Sequence, residues 1–208
     1  GASLLQETGY MIVYQESNYQ DFMSKVETQI VPISGAQVVS GDGMMQLNIE
    51  KGIFYNDIAV SIDKLIGRNI SIKLPSKDRY KKASEFYIIK VVNTSDYVDR
   101  DKSIKLSFEY YGPQNGGIYR YTNRGWIYLS SKINENSITT LINPKSMNNN
   151  NGIYGVFIDA LAWNPSDIRG HWAKDEIITY LRRGIAGVYN DDTFRPDLPL
   201  TKGQLLSY

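Results

Sequence analysis

Gly117-Ile118-Tyr119-Arg120-Tyr121-Thr122-Asn123-Arg124-Gly125-Trp126-Ile127-Tyr128-Leu129 decides the class of fold. Aromatic and β-branched residues fill both arms, and Asn123 and Gly125 supply the positive φ that a tight turn needs. The stretch predicts a β-hairpin. Outward from it, Ile104, Leu106 and Phe108 alternate with Lys105, Ser107 and Glu109, the period of a strand with one face on a core and one in water. Residues 11–14, 29–33, 45–49, 58–62, 86–92 and 153–158 read as further strands, separated by Gly, Asn, Asp, Ser and Pro. Half-buried strands of this kind pack as two sheets, so a β-sandwich is expected up to about Asp159. The Asn-rich stretch within 145–152 is too polar to pack and reads as a surface loop.

Composition narrows the chemistry. The chain has 208 residues, 23 Lys plus Arg against 22 Asp plus Glu, one His and no Cys. A length of this order allows one large domain or a main domain with a small second unit. A net charge of +1 gives no global field that would recruit nucleic acid. Without Cys there is no thiol nucleophile, thiolate site or disulfide, and one His makes a His-rich zinc site improbable. No Gly-rich phosphate loop, Gly-x-Ser-x-Gly elbow or Walker lysine occurs, so the reading nominates no catalytic residue, no cofactor and no metal. No apolar run approaches the ~20 residues of a membrane span, so membrane insertion is not expected. The start Gly1-Ala2-Ser3 carries neither an initiator Met nor a leader pattern and reads as part of something longer.

After Asn164-Pro165 the texture changes. Ala173, Ile177, Ile178, Leu181 and Ile185 fall at helical spacing. The helix is expected from near His171 to Gly184, a residue suited to a left-handed cap, with Arg182 and Arg183 opposing the negative end of its dipole. A turn at Asn190-Asp191-Asp192 and the extended Thr193-Phe194-Arg195-Pro196 follow. Thr201-Lys202-Gly203-Gln204 then fits a capping box opening a second helix. The boundary divides the chain into a β-sandwich at 1–160 and a helical unit at 161–208.

The run Asp167-Ile168-Arg169-Gly170-His171-Trp172-Ala173, then Ile177, Leu181, Tyr189, Thr193-Phe194-Arg195-Pro196-Asp197 and Leu200-Thr201-Lys202, resembles an S-layer homology domain. The preceding part resembles, on Gly41-Asp42-Gly43, residues 49–53 and the 118–129 hairpin, the immunoglobulin-like β-sandwich modules found before such repeats in bacterial surface proteins. The resemblance implies an extracellular, mainly β protein with a small α-helical segment. It implies non-covalent anchoring to a pyruvylated secondary polysaccharide of a Gram-positive-type wall, with further repeats or neighbouring chains completing the groove and the sandwich as spacer. Carried onto this sequence, the binding residues are Lys202 for charge, Thr201 for a hydroxyl or helix cap, Trp172 for an apolar wall, and Asp167 with Tyr189 for polar contacts. Lys202 and Gln204 stand where the family carries Arg and Glu, Val188 and Asp192 where it carries Gly. Lys keeps the charge of Arg but not its bidentate fork.

Each of these residues also has a purely structural reading. His171 reads first as a packing and capping residue rather than a ligand or base. Trp172 is open to sugar stacking, but the apolar helical face favours the core. Tyr119, Tyr121, Trp126 and Tyr128 form either a glycan platform, the basis of an alternative function as a glycan- or protein-binding module, or an ordinary set of cross-strand pairs, which is favoured. The basic run at 77–82 reads as a solvated loop, and Asp96, Asp99 and Asp101 lack the spacing of a Ca²⁺ loop.

Overall fold

The computed structural model describes residues 2–7, 10–15, 28–65, 72–92, 99, 101–145, 152–161 and 164–199, the first two stretches as backbone only. The strands are β1 (Ala2–Glu7), β2 (Tyr10–Gln15), β3 (Gln29–Val31), β4 (Gly35–Val39), β5 (Met45–Glu50), β6 (Ile58–Lys64) and β7 (Tyr80–Lys82). They continue with β8 (Tyr87–Val92), β9 (Ile104–Glu109), β10 (Gly116–Thr122), β11 (Gly125–Leu129), β12 (Ser131–Asn134), β13 (Ser137–Ile142) and β14 (Gly152–Asp159). A 3-10 turn at Ser166–Ile168 and one α-helix, α1 (Lys174–Arg183), follow.

β1 and β2 pair as an antiparallel hairpin. The other strands form two antiparallel sheets, of order β12-β13-β9-β5-β4 and β11-β10-β14-β8-β6-β3. β14 pairs β8 through Gly152–Tyr154, and Phe157–Asp159 at its far end pair β7. Alternation sets the layers. Met45, Leu47 and Ile49, with Ile104, Leu106 and Phe108, face inward from one sheet. Ile58 and Val60, Tyr87 and Ile89, and Tyr154 and Val156 meet them from the other. The fold is a β-sandwich followed by a small helical segment, as the alternation implied.

The expected hairpin is present, with Tyr119 opposite Tyr128 and Tyr121 opposite Trp126. Its turn glycine, Gly125, has the expected positive φ, 97°, whereas Asn123 does not adopt one. β1, β4, β7, β12 and β13 lie outside the expected strands. β4 starts from Gly35, at φ 86°, where a Cβ would lie within 3.0 Å of the backbone of residues 49–51. The basic run at 77–82 is the expected exposed turn only at Lys77 and Asp78. Tyr80–Lys82 is strand, and Arg79 is tied to Asp159 by two hydrogen bonds of 2.9 Å. The Asn-rich loop at 148–151 lies outside the described residues. No helix among the described residues is long and apolar enough to cross a membrane.

The seven-stranded sheet carries a second apolar layer on its outer face. Tyr119, Tyr128 and Phe157 are buried there, with Tyr80, Phe86 and Trp126 packed around them. Tyr119 meets Tyr128, Phe157 and Tyr80 edge-on at 5.4 to 5.6 Å between ring centroids, the geometry the ring quadrupoles favour. Glycines opposite the rings make room. Gly155 pairs Tyr119 across the ladder, and a Cβ on it would lie 2.5 Å from the Phe86 ring.

Candidate functional site

α1 begins at Lys174, three residues later than His171, and its N-cap Ala173 offers no side-chain oxygen. His171 takes over that task. Its Nδ1 accepts the Ala173 N–H at 3.1 Å and its Nε2 lies 3.4 Å from Asp197 Oδ1. The tautomer with the proton on Nε2 serves both contacts. At the other end Gly184 has φ 69°, the left-handed cap expected, and its N–H bonds the Leu181 carbonyl. The buried face of the helix is Ile177 and Leu181, packed with Ile168, Ala173, Ile178, Ala186, Val188 and Phe194.

Trp172 is not part of that core. Its indole is 88% exposed. The helical spacing that assigned it to the apolar face does not apply, because Trp172 precedes the first helical residue. The His171 ring lies 5.4 Å away, tilted by 33°.

The segment after α1 is a turn held from both sides. Tyr189 N–H bonds the Thr193 carbonyl, and Asp192 N–H bonds the Tyr189 carbonyl with Asp192 at φ 58°. Asp thus occupies the left-handed position, as its short polar side chain allows. Asp191 accepts from the Thr193 hydroxyl and backbone N–H and from Arg195 Nη2. The Thr193 hydroxyl, followed by the Arg195 guanidinium, pulls its carboxyl down to about 2. Arg195, itself at φ 58°, lies with its guanidinium 4.2 Å from the Tyr189 ring centroid.

Asp167 reaches this turn from the 3-10 helix. Its carboxylate accepts the Arg195 N–H at 2.7 Å and the Phe194 N–H at 3.1 Å. The Arg195 N–H and then the Phe194 N–H hold its carboxyl below the usual carboxylate range. These bonds join residues 27 and 28 positions apart, so Asp167 acts first as a clasp that fixes where Tyr189 and Arg195 stand. Asp167 and Tyr189 are brought to one turn, with Phe194 between the clasp and the α1 core. Thr201 and Lys202, with the expected second helix, lie outside the described residues.

The resemblance does not place Arg195 among the binding residues, although it stands in the matched run Thr193-Phe194-Arg195-Pro196. The signal available was its place in Thr193-Phe194-Arg195-Pro196, two residues after Thr193 and four after Asp191, spacings that a tight turn closes into a cluster.

The aromatic hairpin offers no flat platform. Tyr119 and Tyr128 are buried in the outer layer. The Trp126 Nε1–H donates to the Lys73 carbonyl, and the Tyr121 hydroxyl accepts the Lys73 N–H. These rings are packing elements. Of the three aspartates weighed for Ca²⁺, Asp96 lies outside the described residues, and Asp99 accepts the Asp101 N–H and pairs with Lys102 at 3.8 Å. Among the described residues no three His, Asp or Glu side chains are grouped to hold a metal ion.

Two further ion pairs sit on the sandwich. Lys90, whose burial lowers its pKa against the pull of Asp63, pairs with Asp63 at 3.2 Å. Asp42 pairs with Lys64 at 3.4 Å and accepts from Tyr87, Ser40 and the Met44 N–H, which together outweigh the upward push of burial and hold its carboxyl low. Both pairs brace strands and loops of the sandwich.

No curated protein matches the chain. Residues 166–206 match the family model of the S-layer homology domain, over the clasp, α1 and the turn just described. S-layer homology domains bind cell-wall polymers and are not catalytic. The protein therefore carries a C-terminal S-layer homology segment behind a strand-rich region, and through it belongs to the extracellular cell wall or S-layer, where such segments anchor surface proteins.

Proposed function

We propose that residues 161–208 anchor the protein non-covalently to a pyruvylated secondary cell-wall polysaccharide, with residues 1–160 as the structural module that the anchor holds at the surface. The observation that carries this reading is Trp172, an indole 88% exposed inside a wall-binding segment. An indole in water offers a flat apolar face to the C–H side of a sugar ring, and its N–H remains available to a hydroxyl. Tyr189 supplies a second ring, set by the Arg195 guanidinium above it. Asp167 contributes by holding that turn. Lys202 provides the charge for a pyruvyl carboxylate and Thr201 a hydroxyl. Further repeats or neighbouring chains complete the groove.

The test is co-sedimentation with purified sacculi, before and after chemical removal of the attached polymer, for the wild-type chain, Trp172→Ala and Lys202→Glu. Retention that depends on the polymer and falls about tenfold or more in each variant, with unchanged thermal stability, is expected; tenfold corresponds to about 1.4 kcal/mol of binding. Retention indifferent to polymer removal refutes the ligand. Retention indifferent to both substitutions refutes the residues.

A further inference from the structure

α1 does not end in solvent. Arg182, in its last turn, is only 7% exposed, unusual for an arginine. Its Nη1 donates to the Gly116 carbonyl at 2.9 Å, and its guanidinium lies 4.6 Å from the Tyr128 ring centroid. The seat exists because β10 carries glycine there. A Cβ on Gly117 would stand 2.6 Å from Arg182 Nη1 and 2.7 Å from the Tyr128 ring. The neighbouring Arg183 donates from Nε to the Tyr128 carbonyl at 2.8 Å.

A third arginine meets the helix from the other direction. Arg79, just before β7, holds Asp159 through Nε and Nη2 and donates from Nη2 to the Arg182 carbonyl at 3.2 Å. That carbonyl belongs to the set a helix C-terminus leaves without intrahelical donors, at the negative end of its dipole. Asp159, fully buried, is also the last residue of β14, and it accepts the N–H of Leu161 as the chain leaves the sheet. The exit of the chain from the sandwich and the far end of α1 are thus pinned around one carboxylate.

We propose that the outer aromatic face of the seven-stranded sheet is the docking surface of α1, and that sandwich and helix fold and unfold as one unit. The sandwich is then a brace that fixes the orientation of the wall-binding segment, beyond the spacer role given above. The inference does not depend on which polymer is bound. A tethered segment would leave its arginines in water, since burying guanidinium costs free energy unless hydrogen bonds and packing offset it. Here the Gly116 carbonyl, the Tyr128 ring and carbonyl, and the Arg79 guanidinium converge on the last turn of α1, while Arg182 Nε itself is buried without a hydrogen bond.

Hydrogen exchange of the full chain, read by mass spectrometry, tests the proposal in two independent ways. In the wild type, amides of residues 177–184 are expected to exchange at the rate of global opening, within about threefold of the β10 and β14 amides, because helices docked into a cooperative unit open with it. Exchange orders of magnitude faster than β10 overturns the proposal without any variant. Arg182→Met keeps an apolar stem but removes the guanidinium. It is expected to speed exchange in α1 about tenfold or more while β5, β9 and β13 stay protected, and unchanged α1 exchange overturns the proposal. Arg169→Met, the loss of an exposed arginine in the same segment, serves as the control and is expected to leave α1 exchange unmoved.

Discussion

Asp159→Asn isolates the electrostatic part of the junction, since the amide keeps the shape of the carboxylate and one acceptor for the Leu161 N–H. What it removes is the charge facing Arg79, whose Nε and Nη2 both lie 2.9 Å from the carboxylate oxygens. Asp159 has no exposed side-chain surface and Arg79 retains 26%. Breaking a buried ion pair from one side costs about 3–5 kcal/mol, because the remaining charge is left without its partner. Partial access of water to Arg79 reduces this to about 2–4 kcal/mol. For a chain of this length each kcal/mol moves Tm by about 2–4 °C, so a fall of about 4–16 °C is expected. Urea unfolding followed by circular dichroism gives the free energy, and the double variant Arg79→Met/Asp159→Asn closes a mutant cycle. Coupling of at least about 1 kcal/mol is expected for groups in direct contact. A loss below about 0.5 kcal/mol, or additive single effects, would show that the pair is a surface contact and refute the reasoning.

Other perturbations read other parts of the molecule. Gly35→Ala forces a side chain into a positive-φ position against the backbone of residues 49–51, and should cost about 1–3 kcal/mol in urea unfolding. Phe108→Ala opens the sandwich core under the Tyr87 ring and should cost about 3–5 kcal/mol by the same assay. Trp172→Phe should leave stability within about 0.5 kcal/mol, and in the wild type its indole should be quenched freely by iodide. Acid should loosen the turn: Asp167 and Asp191 titrate below their unfolded values, so their contribution is complete above the ordinary carboxylate pKa and disappears as pH falls through the folded values, about 2 for Asp191. Two-dimensional NMR of the Phe194 and Arg195 amides from pH 6 to pH 2 should show shifts that begin below about pH 4, and a midpoint above that refutes the assignment.

Period-two alternation identified β5, β6 and β9 because each puts an unbroken apolar set on one face, and the hairpin was readable from its turn residues. β13, with Ile138, Thr140 and Ile142 inward, has a hydroxyl at its central core position, where Thr140 bonds the Ser130 carbonyl. That substitution hides the alternation. β7 is a basic tripeptide whose strand character comes from pairing with Phe157–Asp159, a contact about 75 residues away that local pattern does not contain. The C-terminus of α1 was legible through Gly184 and the capping role of His171 through its place at the helix entrance, but the first helical residue was not, since His171 caps from three residues ahead of Lys174. That displacement is why Trp172 reads as core in sequence and stands in water in the structure.

Arg182 and Trp172 together show why the docking was the least legible feature. Residue-type expectation puts arginine outside and tryptophan inside, and this segment reverses both. The reversal has one geometric cause. Arg182 lies on the side of α1 that meets the sheet, where Gly116 offers its carbonyl and Gly117 leaves a space that a larger residue would fill. Trp172 precedes the helix and has no facing element among the contacts of the α1 core. Docking one end of α1 through charge and aromatic contact fixes the helix axis, so the orientation of Trp172 and of the clasped turn follows from the sandwich rather than from a linker. An exposed indole on a fixed frame is preorganised for a flat apolar ligand, because the ordering cost has been met in folding rather than at binding. On this argument, loosening the Arg182 seat should weaken wall retention even though the seat touches no ligand, and should do so in proportion to the exchange rate of α1.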